Sequence, residues 1–399
     1  MVIVSSLFLA SSALRNLATR NIQNVDLNRV MMTFEESEPG SGVYECMLNN
    51  AFAENPNIVS VTNVTPILKQ IKGNPFDSNK GCFQNCVNLT TAPDLSETQV
   101  WNMNSAFSNC TSLVNAPMLP LTLSQARMAF AGCSSLVNAP DLSNCTNLFS
   151  MDYMFSGCSN LTDAPNLPST VTDMMGTFHY CHNLVNISNL PASLISLTET
   201  FSGCSNLVNA PEIPNSVTSL GSTFWGCSSL VNAPDLSNLS GSVSLYGTFG
   251  DCYNLTNIPG LPNTPTSSIT NISQTFQGCS SLTSVPEFVN VTGDDMLQTF
   301  SDCSNLTSAP NIPSTIVNMQ GTFRECVNLT GNIYIHSEIV NDVVGCFYNT
   351  SLDKNVYIPF NSAGTPGEYS TTYNTFINAG YGTDPTNRVD GVCLFDINA

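Results

Sequence analysis

The sequence contains 16 cysteines, which could form disulfides, ligate a metal or act as nucleophiles. Eleven of them share one local pattern, Phe-x-x-Cys-x-x-Leu, so each occupies a regular structural position. We interpret these eleven as small buried apolar groups that stay free thiols. They are Cys86, Cys110, Cys133, Cys158, Cys181, Cys204, Cys227, Cys252, Cys279, Cys303 and Cys326.

Five cysteines fall outside the pattern, and the sequence leaves a disulfide among them open. They are Cys46, Cys82, Cys145, Cys346 and Cys393. No Cys-x-x-Cys pair is present, and a zinc site is therefore not indicated. The one local group of His and Cys is formed by His179, Cys181 and His182. Because Cys181 belongs to the repeated pattern, we predict no metal site there.

Catalytic motifs are missing from the sequence. It contains no hydrolase elbow, no phosphate-binding glycine loop and no dinucleotide fingerprint. Carboxylates recur with the repeat instead of converging on one pocket, so general acid and base chemistry is not indicated either. We therefore expect no catalytic residue, no cofactor-binding residue and no metal ligand. The sequence predicts a protein that is not an enzyme.

Five acidic residues occupy one column of the repeat, directly after a proline, with polar interruptions at Asn166, Asn189 and Asn311. This candidate acidic stripe admits two interpretations, a solvated face or a docking surface for a cationic partner or Ca²⁺. Its members are Asp94, Asp141, Glu212, Asp235 and Glu287.

Other conspicuous residues have simpler interpretations. Asn-x-Ser/Thr tripeptides occur because the repeat itself is rich in Asn, Ser and Thr. Trp101 and Trp225 are interpreted as local packing residues.

Composition limits the partners. The 399 residues include 29 acids and 10 bases, for a net charge of -19, and only 10% are charged. Nucleic-acid binders and polybasic membrane anchors need clustered Lys and Arg, whereas the bases here are scattered. No run of 18 apolar residues predicts a membrane span. The many Phe, Leu and Cys residues argue against disorder.

The Phe-x-x-Cys-x-x-Leu pattern recurs eleven times, with steps of 23 to 27 residues from one Phe to the next. Units this short cannot bury a core alone, so the spacing predicts a stacked solenoid of coils. An apolar residue four positions before the Phe completes the core in nine coils. Gly, Asn or Asp usually precedes the Cys, where a positive φ would be least costly. The prolines limit helix formation, so we expect mostly β-strand and turn.

The unit from Leu207 to Leu230 resembles the BspA-type leucine-rich repeat, whose coils also end in Phe-x-x-Cys-x-x-Leu. The resemblance covers about residues 81–350 and departs from the family in two ways. A proline enters the strand segment, and Thr often replaces Ala before the Phe. The resemblance implies a leucine-rich-repeat solenoid, a right-handed curved stack with distinct N- and C-terminal caps. It also implies adhesion or partner binding, on bacterial and protist surfaces or on phage particles.

We predict three regions from the limits of the repeat. Residues 1–80 form an N-terminal cap or attachment module, residues 81–330 form the eleven coils, and residues 331–399 form degenerate repeats with a C-terminal cap. Within the first region, the segment Phe52 to Ile58 resembles a decayed coil. Met1 to Ala13 is apolar but has no preceding base, so a cleaved secretory signal is disfavoured.

The functional expectation is a non-enzymatic, surface-exposed binding or structural protein. The first hypothesis is a bacteriophage virion component, a tail or head appendage that recognises a host surface through the solenoid face. The alternatives are a secreted bacterial cell-surface adhesin, which would be extracellular, and a purely structural virion decoration. Expected partners are a protein or glycan on a host or cell surface, or other virion proteins bound through residues 1–80. A homo-oligomer is compatible with the sequence, whereas nucleic acid and membrane insertion are not expected.

Overall fold

The chain divides by its internal contacts into two compact units, residues 1–194 and 195–399, each described here by itself. The computed structural model of the protein describes most of the repeat and parts of both ends. The described residues are 7–9, 24–26, 30–32, 34–36, 44–46, 55–62, 81–187, 189–351, 354–360, 370–383 and 392–396. The boundaries placed at residues 80 and 330 from the sequence stay predictions.

The first unit begins with short paired strands. β1 pairs with β3 and β2 with β6 in parallel, and β4 pairs with β5 antiparallel. Most of the apolar segment Met1 to Ala13 lies outside the described residues. The bounds are Leu7–Leu9 (β1), Asn24–Asp26 (β2), Val30–Met32 (β3), Phe34–Glu36 (β4), Tyr44–Cys46 (β5) and Ser60–Thr62 (β6).

The described end of the coil-like segment at Phe52 packs as the repeat does. Ile58 is buried, in the position that Leu holds in later coils. The Val59 carbonyl accepts the backbone N–H of Thr90 at 2.8 Å, and Ser60 forms a parallel bridge with Thr91. Residues 55–60 therefore cover the first complete coil of the repeat, while residues 52–54 lie outside the described part.

Each coil is held to the next by backbone hydrogen bonds at alternate residues around its Phe. The backbone N–H of Phe130 donates to the Met154 carbonyl at 2.9 Å, and the N–H of Gly132 donates to the Ser156 carbonyl at 2.6 Å. Intervening N–H groups close turns within the coil, as from Cys133 to the Phe130 carbonyl at 3.1 Å. This alternation satisfies the buried backbone groups without an extended strand.

Two residues in nearly every coil have positive φ, between 51° and 76°. One column lies two positions after the Phe, where the sequence predicts tight turns at Gly, Asn and Asp. All nine of those residues have positive φ, and Tyr180 and Glu325 share the same conformation. The nine are Asn85, Asn109, Gly132, Gly157, Gly203, Gly226, Asp251, Gly278 and Asp302. The second column, two positions before the Phe, was not anticipated.

The core consists of parallel ladders of identical side chains. Within each unit, the rings of successive core Phe residues stack with centroids 5.3 to 5.8 Å apart and planes within 15°. The Thr that often precedes the Phe is also buried. Its hydroxyl is satisfied by backbone carbonyls, as where Thr275 lies 2.9 Å from the Leu245 oxygen and 2.8 Å from the Ile272 oxygen. The core can therefore hold a polar side chain in this column.

The expectation of mostly β-strand is corrected by the structure. In many coils, pairing between neighbours is reduced to single bridges, as between Asn115 and Asn138. Among the described residues from 81 onwards, strands appear only in the second unit: β7 pairs with β8, and β11, β10 and β9 form a parallel sheet in that order. Prolines and positive-φ residues interrupt every longer extended run. The bounds are Gly241–Ser244 (β7), Ser267–Asn271 (β8), Ile333–Tyr334 (β9), Lys354–Ile358 (β10) and Val392–Asp396 (β11).

One helix, α1 (Thr371–Asn378), lies near the end of the second unit. The Ser370 side chain accepts the N–H of Tyr373 and caps its N-terminus. Phe376 and Tyr381 pack against Phe347, with ring centroids 6.3 and 6.0 Å away, so that the aromatic ladder ends on these two side chains. No helix among the described residues is long and apolar enough to cross a membrane.

Close approach of neighbouring coils makes one glycine testable. A Cβ at Gly293 would lie 2.3 Å from the backbone oxygen of Thr270, which cannot move aside as a side chain would. We expect Gly293→Ala to destabilise the second unit by about 1–3 kcal/mol in urea unfolding. Gly221→Ala is the matched control, because its nearest neighbour would be 3.7 Å away. Equal stability of the two variants would contradict this packing.

Candidate functional site

The cysteine side chains that the structure describes lie in the core, where their thiols are shielded from solvent. All fifteen whose side chains are described are free and buried, including Cys82, Cys145, Cys346 and Cys393. The Cys46 side chain lies outside the described residues. The thiol of Cys133 donates to the Phe107 carbonyl of the preceding coil at 3.1 Å, and eight other repeat thiols make the equivalent bond.

Burial raises the pKa of these thiols. The pKa of Cys133 and that of Cys181 rise to about 12, and that of Cys145 rises to about 11, in each case mainly through desolvation. Burial also raises the pKa of Cys252 and Cys303 well above the ordinary value. A nucleophilic cysteine needs the thiolate, which this environment disfavours.

His179 and His182 belong to an aromatic group on the first unit. The centroid of the His179 ring lies 4.1 Å from that of Tyr180 and 6.2 Å from that of Tyr153, and the His182 centroid lies 5.8 Å from that of Tyr180. The Cys181 side chain points into the core. Among the residues that the structure describes, no group of three or more His, Cys, Asp and Glu is arranged to hold a metal ion.

The five acids of the candidate stripe are all exposed. Three of them, Asp94, Asp141 and Asp235, accept the backbone N–H two residues further on at 2.8, 3.0 and 2.9 Å. These bonds, led by the backbone N–H of Ser143 and of Ser237, lower the pKa of Asp141 and of Asp235. The three aspartates therefore have a structural role, closing the turn that follows each proline.

The stripe is interrupted in both units. In the first, exposed Met118 occupies the column between Asp94 and Asp141. In the second unit, Glu212 and Asp235 belong to successive coils, but Gly260 separates them from Glu287, which accepts the backbone N–H of Asn311 at 2.8 Å. The carboxylates are thus exposed but discontinuous within each unit, and the choice between a solvated face and a docking surface stays a prediction.

Two substitutions at Asp235 distinguish the hydrogen bond that closes the turn from the charge of the carboxylate. Asp235→Asn keeps the oxygen that accepts the Ser237 N–H, whereas Asp235→Ala removes it. We expect the Ala variant to lose about 1 kcal/mol in chemical unfolding at pH 7 and the Asn variant to lose much less. Because the folded pKa is lowered, the wild-type contribution is lost as the pH falls through that value. Equal losses in both variants would contradict the turn role.

A second exposed column was missed by the sequence interpretation. Six positions before the core Phe, the first unit carries Trp101, Ser124, Phe149 and Thr172 in successive coils. Trp101 is 37% exposed and Phe149 is 53% exposed. The packing interpretation fits Trp225 better, since a Cβ at Gly250 would lie 2.3 Å from its ring. Aromatic residues at a variable position outside the core columns were the sequence signal that could have identified this surface.

Asparagine forms a third regular column, two residues after the repeat Leu. The side-chain amide of Asn138 donates to the Asn115 oxygen at 2.6 Å, and that of Asn257 donates to the Asn232 oxygen at 3.2 Å. These ladders accompany the single bridges between coils. The Asn-rich surface is therefore partly structural, because each amide reinforces the register of its neighbour.

Coils of this length, with ladders of Leu, Phe and Cys inside and single parallel bridges outside, define a leucine-rich-repeat protein. The family model for the BspA type leucine rich repeat region, described as six copies, matches overlapping segments of the chain. Together these segments run from residue 45 to residue 366, so the chain belongs to the BspA-type leucine-rich-repeat family. The segments are 45–162, 77–199, 151–260, 174–285 and 246–366.

Comparison with solved structures finds matches at low identity. A leucine-rich repeat protein from Bacteroides ovatus is 20% identical, with a TM-score of 0.42 over 76% of this chain and 94% of that chain. The T. pallidum leucine rich repeat protein is also 20% identical, with a TM-score of 0.32 and coverage of 63% and 87%. A leucine rich cell surface protein from Faecalibacterium prausnitzii is 17% identical, with a TM-score of 0.36 and coverage of 79% and 88%. No curated protein matches the chain.

Proposed function

We propose that this chain is a non-enzymatic, surface-exposed binding protein that recognises its partner through exposed side chains of the repeat. The observation that supports this most directly is that the backbone and core repeat from coil to coil, while the exposed side chains differ. Backbone bonds and the Phe ladder hold the coils in register, while columns such as that of Trp101 and Phe149 face solvent. A regular scaffold of this kind places several side chains at fixed spacing for one extended partner.

The absence of catalysis is part of the proposal. It is supported by the raised pKa of buried thiols such as Cys133 and by the turn-closing role of Asp141 and Asp235. The most reactive side-chain types in the described coils are thus engaged in holding the fold. Incubation of the purified protein with generic ester, peptide and glycoside substrates tests this, and turnover that is lost on mutation of a surface residue would contradict it.

The location that we propose is the bacteriophage virion, as a tail or head appendage. This rests on the resemblance of the repeat to those of proteins on phage particles. The right-handed curvature and the two end caps stay predictions, although the packing of Phe376 and Tyr381 over Phe347 supports a C-terminal cap. Attachment through residues 1–80 likewise stays a prediction.

Particle composition and cell binding test the two halves of the proposal separately. Mass spectrometry of purified particles is expected to find the intact chain, and its absence from particles together with its presence on bacterial surfaces would favour the adhesin. Fluorescently labelled protein is expected to bind host cells saturably. Presence in particles without any cell binding would indicate a structural decoration.

A further inference from the structure

Four successive coils of the first unit carry an aromatic–hydroxyl strip, defined as Trp101, Ser124, Phe149 and Thr172. The backbone fixes their register. The Ser124 N–H donates to the Trp101 carbonyl at 2.8 Å, and the Thr172 N–H donates to the Phe149 carbonyl at 2.9 Å. Parallel bridges at the next residue of each coil continue the order through all four coils. The strip therefore alternates an aromatic side chain with a hydroxyl at one-coil steps.

Both rings of the strip are available to a ligand. Phe149 exposes 53% of its surface and Trp101 exposes 37%. Among the described residues, no group accepts a hydrogen bond from the Trp101 indole N–H. A tryptophan whose polar atom lacks a protein partner can donate to a ligand while its ring contacts apolar surface. Exposed aromatic side chains placed in register are more informative than single apolar residues scattered on a surface.

Polar acceptors flank the strip. The Asp152 carboxylate accepts the Ser150 hydroxyl at 2.6 Å, and Asp173 forms a parallel bridge with Ser150, the neighbour of Phe149. On the side of Trp101, the Asn104 amide lies 3.4 Å from the Gln125 side-chain oxygen. Asn104 and Asp152 each lie three residues after a ring of the strip, and polar groups in the same coils as exposed rings suit a ligand that is rich in hydroxyl groups and has apolar ring faces. A pyranose has both features.

The spacing of the two rings selects a class of polysaccharide. The backbones of paired coils lie about 4.8 Å apart, and the core rings of these coils stack at 5.5 and 5.7 Å, which puts Trp101 and Phe149 about 10–11 Å apart along the stack. In a β-1,4-linked chain, successive pyranoses are flipped, so the same ring face recurs at every second sugar over a similar length. Rings on alternate coils would then meet equivalent faces. The Ser124 and Thr172 hydroxyls donate to the Trp101 and Phe149 carbonyls at 3.1 and 3.3 Å, so they would meet the intervening sugars as hydrogen-bond acceptors.

Charge restricts the ligand further. Within residues 81–351 the bases are only Arg127 and Arg324, against a majority of acids. Arg127 is exposed and lies three residues after Ser124, yet residues 94–178 hold six acids against this one base. The surface around the strip is therefore net negative and repels sulfated and uronate-containing chains. We propose that the aromatic–hydroxyl strip binds an uncharged β-1,4-linked polysaccharide chain, with Trp101 and Phe149 stacking on alternate sugars. This inference rests on the proposed binding function and names the ligand class of one surface.

Titration of the full-length protein with cellohexaose and chitohexaose tests the proposal by calorimetry. Both probes are β-1,4-linked, whereas maltohexaose is α-1,4-linked and curls away from a straight strip. We expect binding of at least one β-linked probe, and Trp101→Ala and Phe149→Ala each to weaken it about tenfold or more. Trp101→Tyr and Phe149→Tyr, which keep a ring, should retain binding.

Tyr180→Asn supplies the matched control, because it removes another exposed ring of the same unit. Asn occurs at that position in other coils with the same positive φ, so the fold should tolerate the change. A second readout uses Trp225→Phe, which leaves Trp101 as the single tryptophan. Its fluorescence should change when a β-linked probe is added.

Failure of the proposal is recognisable. No binding of either β-linked probe, or equal weakening by Tyr180→Asn, would overturn it. Binding of maltohexaose as tight as that of cellohexaose would contradict the spacing argument. Saturable binding to host cells that protease treatment of the cells abolishes, without oligosaccharide binding, would refute the strip as a glycan site and leave the proposed binding function in place.

Discussion

Phe130→Ala is expected to destabilise the first unit by about 3–5 kcal/mol, as measured by urea unfolding followed by circular dichroism. The Phe130 ring is fully buried and stacks on Phe107 and Phe155, with centroids 5.5 and 5.7 Å away. Removing it opens a cavity that touches two coil interfaces at once. In a repeat protein each coil depends on its neighbours, so both interfaces weaken together.

Phe149→Ala is the matched control for this effect. It removes the same side chain from the same unit, but at a position that is 53% exposed. Surface substitutions of this kind usually change stability by no more than about 0.5 kcal/mol. If Phe149→Ala and Phe130→Ala destabilise the protein equally, the assignment of the core ladder is wrong. A large loss with Phe130→Ala alone supports the ladder as the main source of stability.

Sequence reasoning identified one of the two positive-φ columns and missed the other, for a physical reason. Gly and Asn tolerate positive φ, so residues such as Gly132 and Asn109 signal the turn after the Phe. The column before the Phe mixes glycines such as Gly176 with Met128 and Glu199, which do not favour this conformation, so residue type gives no consistent signal there. Their backbone is set by hydrogen bonds to the next coil, as from Met128 to the Asp152 carbonyl at 2.9 Å.

Secondary structure was overestimated for a related reason. The repeat predicts that equivalent segments of neighbouring coils pair, and they do, as between Asn209 and Asn232. The prediction of strands assumed that several consecutive residues would pair. Pro211 and Pro234 come two residues later and lack the backbone N–H that would extend the ladder. Periodicity thus reveals which residues meet, while local backbone chemistry determines how long they pair.

The candidate surfaces show the same division. Acids in one column left a solvated face and a docking stripe open, and the structure adds that Asp141 and Asp235 close turns within their own coils. The sequence alone does not show whether an exposed acid accepts the backbone N–H two residues further on, because that bond depends on the local backbone conformation. Trp101 was interpreted from the sequence as a packing residue, but its side chain is exposed in the structure. A tryptophan is equally compatible with packing and with a surface position until its exposure is known.

Raising the pH from 9 to 12 is expected to unfold the repeat cooperatively. Burial raises the pKa of thiols such as Cys86 and Cys133 from 9.0 to about 12. In this interval the folded state keeps protons that the unfolded state releases, so stability falls with rising pH. The contribution is complete below pH 9 and is lost progressively as the pH rises towards 12.

Thiol reactivity gives an independent measurement of the same property. At pH 8 without denaturant, Ellman's reagent is expected to find the buried repeat thiols unreactive, and in denaturant all 16 cysteines of the chain should react. Rapid reaction of the folded protein would contradict the burial of the Cys column. Thiol reactivity and alkaline unfolding should change together across the pH range, since both require exposure of the sulfur atoms.

Cys133→Ala separates the charge on the thiol from its packing. The substitution removes one titrating group and the hydrogen bond to the Phe107 carbonyl, so stability at pH 7 should fall modestly. The decrease in stability between pH 9 and 12 should nevertheless be shallower than in the wild type, since one fewer proton is released on unfolding. A dependence on pH that is unchanged in this variant would assign alkaline unfolding to other groups. Burial of a neutral thiol requires both results, a lower stability at pH 7 and a shallower decrease of stability between pH 9 and 12. Packing contributes to stability at every pH, whereas proton release on unfolding contributes only above the pKa of the unfolded thiol.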